Sequence, residues 1–179
     1  PPHGETANRK WKFGELIRRR EGKALHLQMD LKLQPGRVEK ALALIEGQNV
    51  VYSRHQISGV SGAMTFSHHA TLQFPDRPGA ANLSFSKFKH AATFYEPVES
   101  PEAGTYSILK PDSLIKDLTK VPLINGNVTD LTSYPNRRGY EDLAMVCADP
   151  GPEMAWSAAT FPRERYVWFN LKDPKVLAS

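Results

Sequence analysis

Two short histidine motifs hold the residues of this chain that are best suited to acid–base chemistry. The first is Pro2-His3-Gly4-Glu5, followed closely by Asn8-Arg9, and the second is His68-His69-Ala70-Thr71-Leu72-Gln73-Phe74. Histidine exchanges a proton near neutral pH, and the neutral ring offers one hydrogen-bond donor and one acceptor. Opening and closing a sugar ring needs both functions, because one group takes the proton of the anomeric hydroxyl while another donates to the ring oxygen.

Each candidate also has a purely structural alternative. His69 could cap a strand or bond a loop carbonyl, and His3 stands at the chain end, where disorder is common. Arg9 is a candidate for binding a carboxylate or a sugar hydroxyl, because its planar fork suits bidentate recognition. A surface salt bridge is the alternative for Arg9. We expect His3 and His69 to converge on one shared surface if the motifs act together.

The elements that must position these motifs are predicted to be β-strands. Apolar and polar residues alternate over residues 25–33, which is typical of a half-buried antiparallel strand. Turn residues then separate it from return strands at 38–45 and 50–57. Further strands are predicted at 70–74, 83–88, 91–95, 105–109, 128–131, 143–147, 155–161 and 166–171.

One short helix is predicted, over residues 111–118. Asp112 or Ser113 would cap it, and the Val121-Pro122 pair would follow its end. Many strands, one helix and frequent Gly/Pro turns favour an all-β sandwich or barrel. Long strands favour large antiparallel sheets packed face to face. We expect a single domain over residues 1–179.

Composition narrows the classes of partner. The chain has 179 residues, 40% hydrophobic and 23% charged, and a net charge of +4. No signal peptide is visible at its start and no apolar run approaches the ~20 residues that a membrane helix needs, so we expect no membrane partner, and the compartment stays open with the cytoplasm slightly favoured. The basic run Arg18-Arg19-Arg20 is followed at once by Glu21-Gly22, so we expect a solvated loop or edge strand rather than a nucleic-acid site. The only cysteine, Cys147, lies in a predicted buried strand.

The ordered pair of motifs resembles the galactose mutarotase-like superfamily, which includes the aldose 1-epimerases. The resemblance implies a β-supersandwich in which His69, in a pattern similar to Asn-His-x-x-Phe-Asn-Leu, is the catalytic acid. It also implies that His3, before Gly4, holds the substrate, as would Arg9. The family's hydroxyl-binding aspartate would correspond to Asp142, with Glu141 as the next choice and a solvated strand entry as the structural alternative. The resemblance covers the central part of such a domain, and the chain starts at Pro1, so we expect a segment of a longer protein.

The leading prediction is therefore a carbohydrate-binding, aldose 1-epimerase-like protein that acts on or binds a free sugar or sugar derivative. The family's catalytic base is a late glutamate that has no counterpart here, and Glu5 replaces the usual aromatic or glycine. These departures keep open a non-catalytic binding or structural module, or the supersandwich domain of a larger carbohydrate-active enzyme. No metal, cofactor or nucleic acid is expected. Besides the sugar, the partner predicted is another chain or further segments of the same protein, pairing along exposed strand edges.

Overall fold

Residues 3–176 are described by the computed structural model, and they form strands almost throughout. The contacts divide the chain into two compact units, Pro1–His69 and Ala70–Ser179. Within residues 3–176 there are twelve strands and one α-helix, α1 (Gly4–Asn8), together with a 3₁₀ turn at Pro101–Ala103. All sheets are antiparallel, so the predicted all-β class is confirmed.

The first unit is a four-stranded meander. Its strands are β1 (Lys12–Arg19), β2 (Gly22–Leu31), β3 (Gly36–Ile45) and β4 (Val51–Ser58), paired in that order. The strands predicted at 25–33, 38–45 and 50–57 are confirmed as β2, β3 and β4. The sequence pattern does not predict β1, in which a bulge between Phe13 and Glu15 interrupts the alternation. The basic run was expected in a solvated loop or on an edge strand, and Arg18 and Arg19 do lie on this edge strand.

Burial in this sheet is concentrated on a single cross-strand pair. Met29 of β2 lies opposite Val38 of β3, and both are buried. Leu25, Leu27 and Leu31 of the alternating run are only half-buried, as are His26 and Gln28 between them, and Leu33 is exposed. Both faces of β2 are therefore partly covered, whereas the alternation predicted one buried and one solvated face.

The second unit contains eight strands in three sheets. These strands are β5 (Ala81–Phe85), β6 (Phe88–Thr93), β7 (Val121–Pro122), β8 (Val128–Thr129), β9 (Ser133–Tyr134), β10 (Ala144–Ala148), β11 (Ala155–Phe161) and β12 (Tyr166–Lys172). The largest sheet has the order β12-β11-β5-β9, and the pairs β10-β6 and β7-β8 form the other two.

Two separate apolar clusters hold the second unit together. One joins β6 and β7 with the irregular segments between them, and its buried members are Ala91, Leu109, Ile115, Val121 and Leu123. The other surrounds Phe161 on β11, with Ala81 and Ala159 buried beside it and Trp168 packed against it. Cys147 is a free, half-buried thiol on β10.

The helix predicted over 111–118 is wrong. Asp112 has a left-handed φ of 50°, which a right-handed helix does not permit. The backbone N–H of Asp112 donates to the Phe94 carbonyl, and that of Ile115 donates to the Ala91 carbonyl. Both N–H groups donate to carbonyls of β6 or of the residue that follows it, whereas a helix would pair them with carbonyls four residues earlier in the chain. The segment is therefore an extended connection that runs along β6.

Two predicted strands, 70–74 and 105–109, are also wrong. Residues 105–109 form only isolated bridges, among them Leu109 with Leu123. Leu72 and Phe74 lie outside the strands, yet their side chains pack against the cluster around Phe161. In both segments the alternating pattern reflected side-chain burial and not strand pairing.

Candidate functional site

Four histidines of the first unit lie together in two ring pairs. The ring centroids of His3 and His69 are 4.8 Å apart with an interplanar angle of 51°. Those of His55 and His68 are 4.6 Å apart at 55°. Because His68 and His69 are consecutive, the two pairs are joined through the backbone. The structure thus brings His3 and His69 together across 66 positions of sequence, and both side chains are exposed.

His3 owes its position to a helix that cannot be stable alone. It is the N-cap of α1, with a left-handed φ of 65° and without a side-chain capping bond. α1 has five residues, and none of them is buried. Isolated helices need about 12–15 residues to be even marginally stable in water. α1 therefore depends on contacts with the sheet.

Glu5 supplies the main contact between α1 and the end of β2. Its carboxylate accepts hydrogen bonds from the backbone N–H groups of Lys32, at 2.9 and 3.0 Å, and Leu33, at 2.9 Å. These backbone donors are the chief reason that the pKa of Glu5 is lowered, with a smaller contribution from Arg9. Glu5 is therefore held as a carboxylate anion, which makes it an anchor.

Arg9 forms the salt bridge that was the alternative to a ligand contact. Its Nη1 lies 2.6 Å from Glu5 Oε1 and also donates to the Asp30 carbonyl at 2.9 Å. The side chain is half-buried. A role for Arg9 in binding a ligand would use the other nitrogens of the guanidinium group and stays a prediction.

The second histidine motif lies in a segment without regular structure. Residues 63–75 contain no helix or strand, and all of residues 61–70 are exposed. The Gln34 Nε2 donates to the carbonyls of Ser61, at 2.9 Å, and Ala63, at 3.3 Å, and so ties the start of this segment to the β2–β3 turn. The rings of His3 and His55 then contact the motif itself.

His55 is the least solvated member of the group. It lies on β4, and its buried Nδ1 has no hydrogen-bond partner within residues 3–176. Burial is the largest cause of its lowered pKa, followed by the charges of His68 and Lys40. Protonation of His55 is therefore disfavoured, and the ring supports His68 mainly as a neutral neighbour.

Asp142 lies in the second unit, and its Oδ1 is already engaged. It accepts the backbone N–H groups of Ile108 and Leu109, both at 3.0 Å. Glu141, the second choice, contributes its backbone carbonyl to the Ser107 hydroxyl at 3.2 Å. The bonds of Asp142 brace a loop, and a contact of Asp142 with a sugar stays a prediction.

A polar depression on the sheet of the first unit was missed by the sequence analysis. It has a volume of about 490 Å³, and its rim includes Glu15, His26, Gln28, Glu39 and Arg54. The alternation of β2 does mark His26 and Gln28 as sharing a face, but it assigns no function to that face. Only the register of four strands shows that polar residues from each of them share the same patch.

Comparisons of the chain with protein-family models, with curated proteins and with solved structures give no match. Within residues 3–176, no three His, Cys, Asp or Glu side chains are grouped in a way that could hold a metal ion. The same residues include no helix with the length and apolar character needed to span a membrane.

Proposed function

We propose that the chain binds a free aldose or aldose derivative at the His3–His69 pair and promotes opening of the sugar ring, as the resemblance to the aldose 1-epimerases implies. The observation that carries this proposal is the 4.8 Å separation of the two exposed rings. Two residues 66 positions apart in sequence meet at the surface, and each presents an imidazole, whose two ring nitrogens can serve as a hydrogen-bond donor and an acceptor.

The spacing of the two rings suits the chemistry of an anomeric centre. In an aldose, the hydroxyl to be deprotonated and the ring oxygen to be protonated are bonded to the same carbon. Side-by-side imidazoles can therefore reach both oxygens at once, with His69 donating to the ring oxygen. The resemblance assigns His3 to holding the substrate, and we propose that it also accepts from the anomeric hydroxyl in place of the family's late glutamate. General acid–base catalysis of this kind contributes roughly 10²–10⁴-fold.

The surroundings of His3 support a positioning role for Glu5. The carboxylate holds α1 on the backbone of Lys32 and Leu33, and α1 begins directly after His3. Loss of this anchor would let His3 move away from His69. Small misplacements of reacting groups are costly, since catalysis depends on near-attack geometry.

Binding without turnover is the second candidate function. It is favoured by the hydrogen bonds of Glu5, whose carboxylate accepts two backbone donors and pairs with Arg9. Such a carboxylate is a poor general base, because its hydrogen bonds stabilise the deprotonated form. In this alternative the histidines serve only as hydroxyl partners, as in a carbohydrate-binding module of a larger enzyme.

Anomeric exchange followed by NMR tests the proposal. Saturation transfer between the α and β anomers of glucose, galactose and other free aldoses is measured with the wild-type chain and with His69→Ala and His3→Ala variants. We expect acceleration by the wild type and a loss of about 10²-fold or more in His69→Ala. His90→Ala is the matched control, because His90 is an exposed histidine of β6 in the other unit.

The outcomes separate the two candidates. Calorimetric binding of sugars without faster exchange supports the non-catalytic module. Absence of both binding and exchange, or equal rates in wild type and His69→Ala, would remove the His3–His69 site from consideration.

A further inference from the structure

We infer that the polar depression on the sheet of the first unit is a second ligand site, which takes a neutral polyhydroxylated molecule about the size of one sugar ring. It is distinct from the His3–His69 pair, and it is argued from its own residues. Its volume of about 490 Å³ lies within the ~300–1,000 Å³ typical of small-molecule sites.

Strand register defines which side chains share the depression. Glu15 of β1 lies opposite His26 of β2, which lies opposite Ala41 of β3, which in turn lies opposite Arg54 of β4. Directly opposed residues point to the same face of a sheet. These four side chains therefore form one row that crosses the whole sheet.

A second row lies on the same face, two residues further along the strands. In it Gln28 of β2 is opposite Glu39 of β3, and Glu39 is opposite Gln56 of β4. His55 lies between Arg54 and Gln56 in β4, so its side chain projects to the opposite face. The depression and the histidine group are thus on different faces of the same sheet at this strand.

Small residues form the floor of the depression. Ala41 stands in the middle of the first row, between the long side chains of His26 and Arg54. Gly14, at the bulge of β1, lines the depression beside them. A Cβ added to Gly14 would lie 3.2 Å from the His26 carbonyl oxygen, so a larger residue here would press against the backbone of β2 beside the depression.

Most polar side chains around the depression have no hydrogen-bond partner within the described part of the chain. The side chains of Glu15, His26, Gln28 and Glu39 have no hydrogen-bond or ion-pair partner within the part of the chain that the structure describes, although their backbones pair within the sheet. Arg54 makes one long contact, 3.5 Å from Nη2 to Gln56 Oε1. Free donors and acceptors from four strands thus surround one patch, and a ligand that bonds to them would not have to break existing internal bonds.

The combination of carboxylate, amide and guanidinium groups around the depression favours a neutral ligand with several hydroxyl groups. An anionic ligand would lie against the carboxylates of Glu15 and Glu39, and a cationic ligand would lie against Arg54. Hydroxyl groups donate and accept, so neighbouring hydroxyls of one ring can donate to the carboxylates and accept from the amide and guanidinium groups. A neutral polyol satisfies all of them together.

Methyl glycosides provide the test, because their anomeric centre is locked and they cannot undergo ring opening. The full chain, labelled with ¹⁵N, is titrated with methyl α-D-glucopyranoside and methyl β-D-galactopyranoside. We expect saturable shifts of backbone amides at Gln28, Ala41 and Arg54. The same shifts are expected in the His69→Ala variant, so that failure of this site and failure of the proposed function are distinguishable.

A substitution that fills the depression, compared with a control on the opposite face of the sheet, tests whether the ligand binds in the depression. Ala41→Leu places three more carbons on the floor and should weaken binding by about tenfold or more, which corresponds to about 1.4 kcal/mol. Ser53→Leu adds a similar bulk to the opposite face, next to Arg54 in sequence, and should leave the affinity unchanged. Amide spectra of both variants report whether the sheet is still folded.

Three results would overturn the inference. The first is an absence of saturable shifts at the depression with either glycoside. The second is a set of shifts confined to His3 and His69 that disappears in His69→Ala. The third is tighter binding at the depression of methyl glucosaminide or methyl glucuronide than of the neutral glycosides, which would contradict the assignment of a neutral ligand.

Discussion

Phe161 offers the sharpest test of how the second unit is held together. Its side chain on β11 is only 1% exposed. The ring is stacked on Tyr166 with centroids 4.4 Å apart and lies 5.2 Å from Phe74. Replacement by alanine removes the centre of this cluster and leaves its other members without a common partner.

The expected cost follows from the burial of this ring. A buried Phe→Ala substitution costs about 3–5 kcal/mol, which includes the cavity that remains. Domains of ordinary size are stable by only about 5–15 kcal/mol. At about 4 °C per kcal/mol, the melting temperature of the unit should fall by roughly 12–20 °C. Phe161→Leu keeps most of the apolar volume and should cost less, about 1–2 kcal/mol, of which about 0.5–1.5 kcal/mol is the lost ring stacking.

Phe169 is the matched control on the neighbouring strand. It lies on β12 of the same sheet and is 47% exposed. Phe169→Ala should change the free energy of unfolding by about 0.5 kcal/mol or less. Urea unfolding followed by tryptophan fluorescence is a suitable assay, since Trp168 packs against the Phe161 cluster. Equal costs for the two alanine variants, or a larger cost at Phe169, would show that the cluster does not stabilise the unit as described.

Two further predictions concern the dependence of stability on pH. The pKa of Glu5 lies below its ordinary value of 4.5, chiefly because the backbone N–H groups of Leu33 and Lys32 bind the anion. The contribution of Glu5 to stability should therefore be present above pH 4.5 and be lost as the pH falls through the lowered pKa. Urea titrations of the Glu5→Gln variant should show a weaker loss of stability in acid. The pKa of His55 lies below its ordinary value of 6.5, first because of burial and then because of His68. Below pH 6.5 the unfolded state takes up this proton first, so the stability of the first unit should fall until the lowered pKa is reached. His55→Gln should flatten this slope, and an unchanged slope would contradict the assignment.

Strands β2, β3 and β4 of the first unit could be predicted because short turns join them in sequence order. Pro35-Gly36 and the polar residues after 45 separate β2, β3 and β4 without ambiguity. The second unit is harder, because β5 pairs with β11 and β6 with β10, more than fifty positions away. Local pattern cannot specify such partners, and the segment 111–118 shows the result. Its spacing favours a helix, but β6 offers the backbone partners that decide its conformation.

The candidate sites differ in what the sequence could show. The chemistry of His3 and His69 is visible in two motifs, whereas their proximity depends on the Glu5 anchor, which no local pattern reveals. The depression carries no motif at all. Its residues are spread over β1–β4, and only the register brings Glu15 into the same row as Arg54.

Strand β2 supports both sites, but through different groups. The segment that continues β2 binds α1 through the backbone N–H groups of Lys32 and Leu33, which any residue except proline at these positions would also supply. The middle of β2 contributes the side chains of His26 and Gln28 to the depression. A substitution such as Gln28→Ala should therefore weaken a ligand in the depression while α1 stays anchored. If the two sites act as separate binding surfaces, sugar exchange at the histidine pair should be unchanged in that variant.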